Sequence, residues 1–220
     1  MNKSDRLLAV DTALGACSVA VLDGERCLAH RFVEMARGHA EALAPMVQET
    51  VAASGICFAG FERLAVTTGP GTFTGQRVGL AFMRALRIAL KKPLTGVTTL
   101  EAMAFAAAGS DGRAAAIHDA RRGEAYLLLW DRGETVLAPT VMPFAEAIAT
   151  VEAFGPATLC GTGALAAGKD LGSRFWMSAI CQPDALWVAR LALMRPATSE
   201  VPAPLYLRAP DAKLPDAASS

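Results

Sequence analysis

The feature that most constrains the fold is an order of predicted elements that occurs twice. From residue 6 the chain reads as three strands, a helix and a strand, and the same order returns from residue 113. The first strand of each unit, RLLAVDTA and RAAAIHDA, ends near an aspartate, at Asp11 and Asp119. The two units share the order of their predicted elements but not their amino-acid sequence. We therefore predict an α/β protein of two similarly built lobes, each a mixed sheet with flanking helices.

Periodicity and turn residues set the limits of these lobes. Apolar residues at helical spacing predict a helix from Gly38 to Ser54, in which Pro45 is expected to cause a kink or a delayed start. We assign residues 1–109 to an N-terminal lobe and residues 110–209 to a smaller C-terminal lobe. Residues 210–220 are rich in Pro, Ala, Asp and Ser, and we expect them to be disordered.

The composition argues against several classes of protein. Lys plus Arg and Asp plus Glu both number 21 in 220 residues, so no overall positive field favours nucleic acid, although a local basic patch stays open. No apolar run approaches the roughly 20 residues of a membrane span, and no signal-peptide pattern is found, which predicts a cytoplasmic protein. The five cysteines form no C-x-x-C pair, so we expect reduced, mostly buried thiols.

A glycine-rich stretch, TTGPGTFTGQRVGLAF, looks like a phosphate-binding loop but fits neither common template. A P-loop needs a lysine after its last glycine, where this chain has Gln76. A dinucleotide fingerprint needs G-x-G-x-x-G, whereas Gly69, Gly71 and Gly75 are spaced G-x-G-x-x-x-G. What remains is a strand-to-helix turn with Thr72 as a candidate helix cap. Close packing of the helix on a sheet and an anion site at its N-terminus are both open.

The helix after this stretch is apolar around nearly its whole circumference from Val78 to Leu90. A helix of this kind is buried on all sides, either inside its own protein or against a partner. Gly75 and Gly79 are four residues apart, so they share a helix face on which another backbone can approach closely. The sequence leaves open which of the two explanations applies.

A search for catalytic groups finds no complete active site. A helical metal site would need a second histidine one turn after His39, and that position is Leu43. There is no G-x-S-x-G elbow and no activating motif around a cysteine. The most polar internal cluster, HDARRGEAY, contains Asp119 and Arg121. A solvated ion-pair network is the simpler interpretation, and a cleft wall facing an anionic ligand or RNA is the alternative.

Five segments together resemble the bacterial TsaB (YeaZ) family of tRNA threonylcarbamoyladenosine biosynthesis proteins, relatives of the TsaD/Kae-type glycoprotease-like proteins. In order along the chain they are LLAVDTALGACSVAVL, GHAEALAPMV, TTGPGTFTGQRVGLAFMRAL, DARRGEAYL and PLYLRAPDA. The Gly-Pro-Gly-Thr-Phe-Thr-Gly block is the most specific of them. The resemblance implies a two-lobed fold of the actin, sugar-kinase and Hsp70 type (ASKHA, ribonuclease H-like).

The resemblance also implies a function, that of a non-catalytic scaffold subunit. Such a subunit binds the catalytic paralogue TsaD and, with the ATPase TsaE, supports threonylcarbamoyl transfer to N6 of adenosine 37 in tRNAs that read codons starting with A. No cofactor or metal is then expected on this chain alone, while ATP and metal are expected on the partner subunits. Contact with tRNA is expected through the complex, and a homodimer when TsaD is missing.

The resemblance further assigns residues to two sites. The first two helices would form the partner interface, with candidates His39, Leu43, Met46, Val47, Gly75, Val78, Gly79, Phe82, Met83 and Leu86. Candidates for the interlobe cleft, or for a nucleotide in it, are Asp11, Gly69, Gly71, Thr72, Asp119 and Arg121. Gln76 stands where the family has an apolar residue such as leucine, so we expect that partner contact to differ. The short C-terminal lobe argues against autonomous ATP binding.

Two other functions stay open at this point. One is a self-sufficient enzyme of the same fold, a nucleotide-dependent phosphotransferase or a metal-dependent glycoprotease-like hydrolase. The other is a free-standing tRNA-binding module, which the zero net charge disfavours. ATP turnover and bound metal in the isolated chain would indicate the first, and steeply salt-dependent tRNA binding would indicate the second.

Overall fold

A computed structural model describes residues 5–108 and 112–208. Within these ranges the strands are β1 Arg6–Asp11, β2 Ala16–Asp23, β3 Arg26–Glu34, β4 Arg63–Thr67, β5 Leu94–Val97, β6 Arg113–Arg121, β7 Glu124–Asp131, β8 Glu134–Pro143, β9 Thr158–Cys160 and β10 Trp176–Met177. The α-helices are α1 His39–Ser54, α2 Phe73–Leu90, α3 Thr99–Ala108, α4 Phe144–Phe154, α5 Ala164–Leu171 and α6 Ala185–Met194. The tail at 210–220 and the lobe boundary at 109/110 lie outside the described residues.

The strands form two five-stranded sheets with the same internal arrangement. The first has the order β3-β2-β1-β4-β5 and the second the order β10-β9-β6-β7-β8. In the first sheet β1 is antiparallel to β2 and parallel to β4. In the second, β6 is antiparallel to β7 and parallel to β9. The prediction of two mixed sheets with flanking helices, built in the same order, is confirmed.

Helices cover both faces of each sheet, which gives five layers and three apolar cores. Helices α1 and α2 pack on the outer face of the first sheet, and α4 and α5 pack on the outer face of the second. Helices α3 and α6 fill the space between the two sheets and form the third core with both inner faces. Two helices enclosed in this way are expected to be apolar on most sides, as the sequences of α3 and α6 are.

The two inner helices are exchanged between the halves of the chain. Helix α3 comes from the first half and packs mainly on β6 and β7 of the second sheet. Helix α6 comes from the second half and packs mainly on β1 and β2 of the first sheet. A division into residues 1–109 and 110–209 therefore separates each inner helix from the sheet that it covers. Spatial packing and the order of elements along the chain divide this molecule differently.

After α6 the chain continues over the first lobe as a segment that we call the C-terminal strap, residues 195–208. The Leu205 amide donates to the Thr68 carbonyl at 2.7 Å, just beyond the end of β4. The Arg195 guanidinium donates to a carboxylate oxygen of Glu101 on α3 at 2.8 Å. These contacts hold the strap on the N-terminal half of the chain, and Arg208 at its end pairs with Glu124 of β7 in the second lobe.

Three local expectations from the sequence can be compared with the structure. Helix α1 begins at His39 and continues through Pro45, so the proline does not delay the helix. All five cysteines are free, but Cys27, Cys57 and Cys181 are exposed, so the expectation of mostly buried thiols is wrong. Among the described helices none is long and apolar enough to cross a membrane.

Candidate functional site

The glycine loop, residues 69–75, lies directly against the backbone that follows β1. The Thr72 amide donates to the Ala13 carbonyl at 2.9 Å, and the Thr72 hydroxyl accepts from the Gly75 amide at 3.0 Å as the cap of α2. A Cβ on Gly71 would lie 2.3 Å from the Ala13 oxygen, and one on Gly75 would lie 2.3 Å from the Thr12 oxygen. Only glycine permits this approach, so close packing explains the glycines at these two positions.

Helix α2 is not buried on all sides within this chain. Its buried stripe consists of Gly75, Gln76, Gly79, Leu80 and Met83. On the opposite side Ile88 is 71% exposed. An adjoining row of apolar residues, which we call the apolar edge, combines exposed alanines with half-buried larger side chains: Val78, Ala81, Phe82, Ala85, Leu86 and Ala89. Burial inside its own protein therefore does not explain the composition of this helix.

The ten candidate interface residues divide by burial. Six are buried between the first sheet and its outer helices, namely Leu43, Met46, Val47, Gly75, Gly79 and Met83. The remaining four, His39, Val78, Phe82 and Leu86, are half-buried at the surface. A residue within a packed core cannot touch a partner while the core is intact. The six buried residues therefore support the surface and do not form it, because they are the side of each helix that packs on the sheet.

Gln76 also differs in position from the expectation. Its side chain is only 3% exposed and lies beneath the glycine loop, where a Cβ on Gly69 would be 2.5 Å from Gln76 Oε1. Gln76 Oε1 has no hydrogen-bond partner. Because the residue belongs to the buried stripe of α2, the expected change of a partner contact at this position is wrong.

A cleft of about 880 Å³ lies between the lobes. The first lobe contributes the start of α1 and the glycine loop, and the second contributes the end of β6, the start of β7 and the turn after β9. The polar and charged residues that line it are Arg37, His39, Glu41, Thr72, Thr74, His118, Asp119, Arg121, Tyr126, Thr162 and Gln182. Four of the six cleft candidates, Gly71, Thr72, Asp119 and Arg121, lie on its wall.

The other two cleft candidates, Asp11 and Gly69, are buried away from the cleft wall. The Asp11 carboxylate accepts from the Thr67 hydroxyl on the neighbouring strand β4 at 2.6 Å, and from the Ala13 amide at 3.1 Å. Burial raises the pKa of Asp11 to about 7, against the opposing effect of these two hydrogen bonds. The expectation that Asp11 faces the cleft is wrong because its carboxyl is directed to β4.

His118 is the least expected group of the cleft. It is nearly buried, and burial lowers its pKa to about 4 even though the nearby Asp119 carboxylate acts in the opposite direction. Its imidazole is therefore neutral at pH 7, and Nδ1 has no hydrogen-bond partner. The adjacent Asp119 accepts from the Arg121 amide at 2.7 Å, which orders the turn after β6.

Sequence analysis identified some of the residues that line the cleft and did not identify the others. The polar cluster HDARRGEAY contains His118 and Tyr126, but Thr162 and Gln182 follow apolar or irregular segments that carry no motif. Gln182 reaches the site because its Oε1 accepts from the Gly15 amide at 2.8 Å. Over residues 5–108 and 112–208, no group of three or more His, Cys, Asp or Glu is placed to hold a metal ion.

Comparison with known proteins shows which family this chain belongs to. A family model described as "TsaD: tRNA N6-adenosine threonylcarbamoyltransferase" matches residues 33–159, more than half of the chain. The tRNA threonylcarbamoyladenosine biosynthesis protein TsaB of Escherichia coli K12 is 40% identical over 131 residues. The chain belongs to the TsaB (YeaZ) family. The match to the E. coli protein covers 59% of this TsaB-family chain and 56% of its relative, little more than half of either.

Solved structures agree with this assignment. A Pseudomonas aeruginosa protein described as similar to peptidase YEAZ has a TM-score of 0.79 and 30% identity, covering 93% of the TsaB-family chain and all of its own. YeaZ from the same organism has a TM-score of 0.70 at 29% identity, covering 86% and 91%. Component A of (R)-2-hydroxyglutaryl-CoA dehydratase from Acidaminococcus fermentans has a TM-score of 0.54 at 11% identity. The match covers 87% of the TsaB-family chain and 98% of the other, and it shows the fold alone. The predicted two-lobed ASKHA fold is confirmed.

Proposed function

We propose that this chain is a non-catalytic scaffold subunit in the formation of threonylcarbamoyladenosine at adenosine 37 of tRNAs that read A-starting codons. The relatives named TsaB and the TsaD family model support the pathway. The partner in this proposal is a TsaD-type catalytic subunit, with TsaE joining through the complex. ATP and metal are assigned to those partners, and tRNA reaches the chain through the complex.

The observation that carries the proposal is the apolar edge of α2. Ala81, Ala85 and Ala89 are exposed in one row, and the half-buried Phe82 and Leu86 lie beside them. No charged side chain belongs to this row, although α2 carries three arginines elsewhere. Small residues backed by larger apolar ones allow a second helix to pack closely and to bury the edge from water. A helix of the partner is the occupant that we assign to it.

The same edge accounts for a homodimer in the absence of the partner. Two copies related by a two-fold axis would place one apolar edge against the other, an isologous contact that leaves neither exposed. The two assemblies then compete for one surface. Addition of the TsaD-type partner is expected to convert the homodimer into a heterodimer.

The substitution that tests the edge is Ala85→Glu. Because Ala85 is exposed, a glutamate there leaves the core unchanged, whereas Phe82 and Leu86 also pack within the first lobe. In the complex the carboxylate would be buried without a partner charge, at a cost of about 3–5 kcal/mol. This corresponds to a loss of affinity of a hundredfold or more, measured by titration calorimetry and by co-elution with the partner.

The matched control is Ala149→Glu, an equally small exposed residue on the outer helix α4 of the second lobe. It should co-elute as the parent chain does, and both variants should keep the thermal unfolding transition of the parent. Full co-elution of Ala85→Glu would place the partner on another face. Stoichiometric metal, or ATP turnover by the isolated chain, would replace the scaffold with the enzyme alternative.

A further inference from the structure

The charges of α2 are distributed unevenly in a chain whose net charge is zero. Between residues 73 and 92 there are five cations and no acid: Arg77, Arg84, Arg87, Lys91 and Lys92. Arg77, Arg84 and Lys91 follow at intervals of seven residues, so they lie along one side of the helix. We call this side the basic edge. It extends about 21 Å from Arg77 to Lys91, at 1.5 Å per residue.

Arg84 of the basic edge and the nearby Arg87 are held by neutral groups, so their charge is not cancelled. The Arg84 guanidinium donates to the Pro202 carbonyl at 3.1 Å, and the Arg87 guanidinium donates to the Ser199 carbonyl at 3.0 Å. Both acceptors belong to the C-terminal strap. Across the described ranges, none of the five cations forms an ion pair with a carboxylate. The strap therefore holds both arginines half-buried through neutral carbonyl acceptors.

A hollow of about 680 Å³ lies at the end of this edge, between the last turn of α2 and the strap. It is lined by Arg87, Ile88, Lys91, Lys92, Pro93, Ala197, Thr198 and Ser199, with no acid among them. Arg87 Nε is buried and has no hydrogen-bond partner, so one donor beside the hollow is unsatisfied. The chemistry of the hollow suits an anion with several acceptor oxygens.

The helix dipole opposes an anion at this end of α2, but its effect here is reduced. The amides of Lys91 and Lys92 both donate to the Arg87 carbonyl and so satisfy one of the terminal acceptors. The full positive charges of Arg87, Lys91 and Lys92 exceed the negative half charge that the helix dipole places at the C-terminus of α2. The balance favours binding that is weak and dependent on salt, as backbone contacts to nucleic acid are.

Exposed aromatic rings occupy the other end of the basic edge. Phe73 is 56% exposed and Tyr206 of the strap is 44% exposed, with their ring centroids 6.0 Å apart in a stacked arrangement. The Arg77 guanidinium lies 3.4 Å from the centroid of Phe73 and donates to the Tyr206 hydroxyl at 2.9 Å. Aromatic and guanidinium planes beside a cationic row are the features on which unpaired bases stack.

We propose that the basic edge is an RNA contact of this subunit, in which the hollow receives a backbone phosphate and the Phe73–Tyr206 pair faces an unpaired base. The aromatic rings favour RNA over an acidic peptide or a lipid surface, neither of which requires them. The choice of tRNA as the RNA rests on the proposed function. The basic edge and the apolar edge are adjoining sides of α2, since Arg77 and Arg84 are four and three residues from Ala81.

The test compares tRNA binding by the complex of the TsaD-type partner with the parent chain and by its complex with the double variant Lys91→Gln/Lys92→Gln, over a range of salt. Glutamine keeps the length of both side chains and removes their charge. In a plot of the logarithm of the binding constant against the logarithm of the salt concentration, each phosphate contact on a single strand contributes about 0.7 to the negative slope. The slope of the double variant should therefore be shallower than that of the parent by about one to two. The control, Lys169→Gln/Arg174→Gln at exposed sites of the second lobe, should keep the parent slope.

Three results would overturn the RNA assignment. One is an unchanged slope in the double variant, and another is an equal loss of slope in the control. The third is displacement of tRNA by millimolar inorganic phosphate when the same ionic strength of chloride has no effect, which would make the hollow a site for a small free anion. If Phe73→Ala leaves the affinity unchanged, the base contact is wrong while the phosphate contact stands.

Failure of this inference and failure of the proposed function give different results. The double variant should still co-elute with the TsaD-type partner, because its substitutions lie off the apolar edge. Loss of RNA binding with intact co-elution supports the contact independently of the scaffold role. RNA binding by a parent chain that never joins the partner would leave the basic edge in place and remove the scaffold proposal.

Discussion

At the scale of single residues, Asp11 shows how a pattern can identify a residue and misplace its side chain. The carboxyl ends β1 as the repeat predicts, but it is fully buried and bonded to Thr67. Asp119, at the equivalent end of β6, is exposed on the cleft wall. The strand patterns that end at the two aspartates are alike, whereas the surroundings that decide burial come from distant parts of the chain.

The burial of Asp11 makes stability depend on pH. Its folded-state pKa of about 7 lies above the ordinary value of 3.8, so the unfolded state loses the proton first as pH rises. Stability is therefore greatest below pH 4 as far as this group is concerned, and declines up to pH 7 by about 4 kcal/mol at most. Asp11→Asn should remove this decline, measured by urea unfolding at pH 5 and pH 8.

The exposed Asp119→Asn serves as the matched control for loss of one carboxylate. It should keep the parent dependence of stability on pH between these two values. The deciding quantity is the difference in unfolding free energy between the parent and Asp11→Asn. If this difference is the same at pH 8 as at pH 5, the Asp11 carboxyl ionises in the folded state without cost.

At the scale of elements, α2 carries three different surfaces on one helix. Its buried stripe holds the glycines that allow contact with residues 12–13, its apolar edge is open, and its basic edge faces the strap. The glycines of the buried stripe differ in what surrounds them. A Cβ on Gly75 would meet the Thr12 backbone oxygen at 2.3 Å, whereas one on Gly79 would meet the Thr12 hydroxyl at 2.7 Å.

This difference predicts unequal effects of two alanine substitutions. The Thr12 hydroxyl can turn away only by losing its buried hydrogen bond to the Gly75 carbonyl at 2.7 Å, a cost that the higher helix propensity of alanine partly offsets. Gly79→Ala should therefore destabilise by about 1 kcal/mol. The backbone oxygen cannot move without shifting β1 or α2, so Gly75→Ala should destabilise by about 2–3 kcal/mol. Chemical denaturation of both variants measures the two values. Equal destabilisation would mean that the helix moves as a whole and that neither contact is rigid.

At the scale of the whole molecule, α3 and α6 each pack on the sheet of the other half of the chain, so we expect the two lobes to unfold together. Val188 and Leu191 of α6 are buried in the core between the sheets. Each such side chain contributes about 1.5–3 kcal/mol of apolar burial, against a net stability of about 5–15 kcal/mol for a typical protein. Loss of α6 would leave the inner face of the first sheet exposed to water.

A chain that ends at residue 183 should therefore show no cooperative thermal transition and should bind a hydrophobic dye. A chain that ends at residue 194 keeps α6 and loses the strap together with residues 209–220, so it should unfold cooperatively at a lower temperature. Calorimetry and dye fluorescence distinguish the two. A transition of the 183-residue chain at the temperature of the parent would mean that the first lobe is stable without α6.

Local periodicity determined a large part of this protein. The repeated order of strands and helices, the helix limits near His39 and Phe73 and the strand-to-helix turn at the glycines follow from patterns within a few residues. Those patterns act through backbone geometry and side-chain spacing, which depend on neighbours in sequence. The family resemblance rests on the same short segments.

What those elements face depends on contacts that form only in the folded protein. The sequence could not show that α3 and α6 cover each other's sheets, that Asp11 is turned to β4, or that the strap returns to hold Arg84 and Arg87. It also could not divide α2 into a buried stripe, an apolar edge and a basic edge. Burial and contact arise between residues far apart in the chain, so no local pattern contains them.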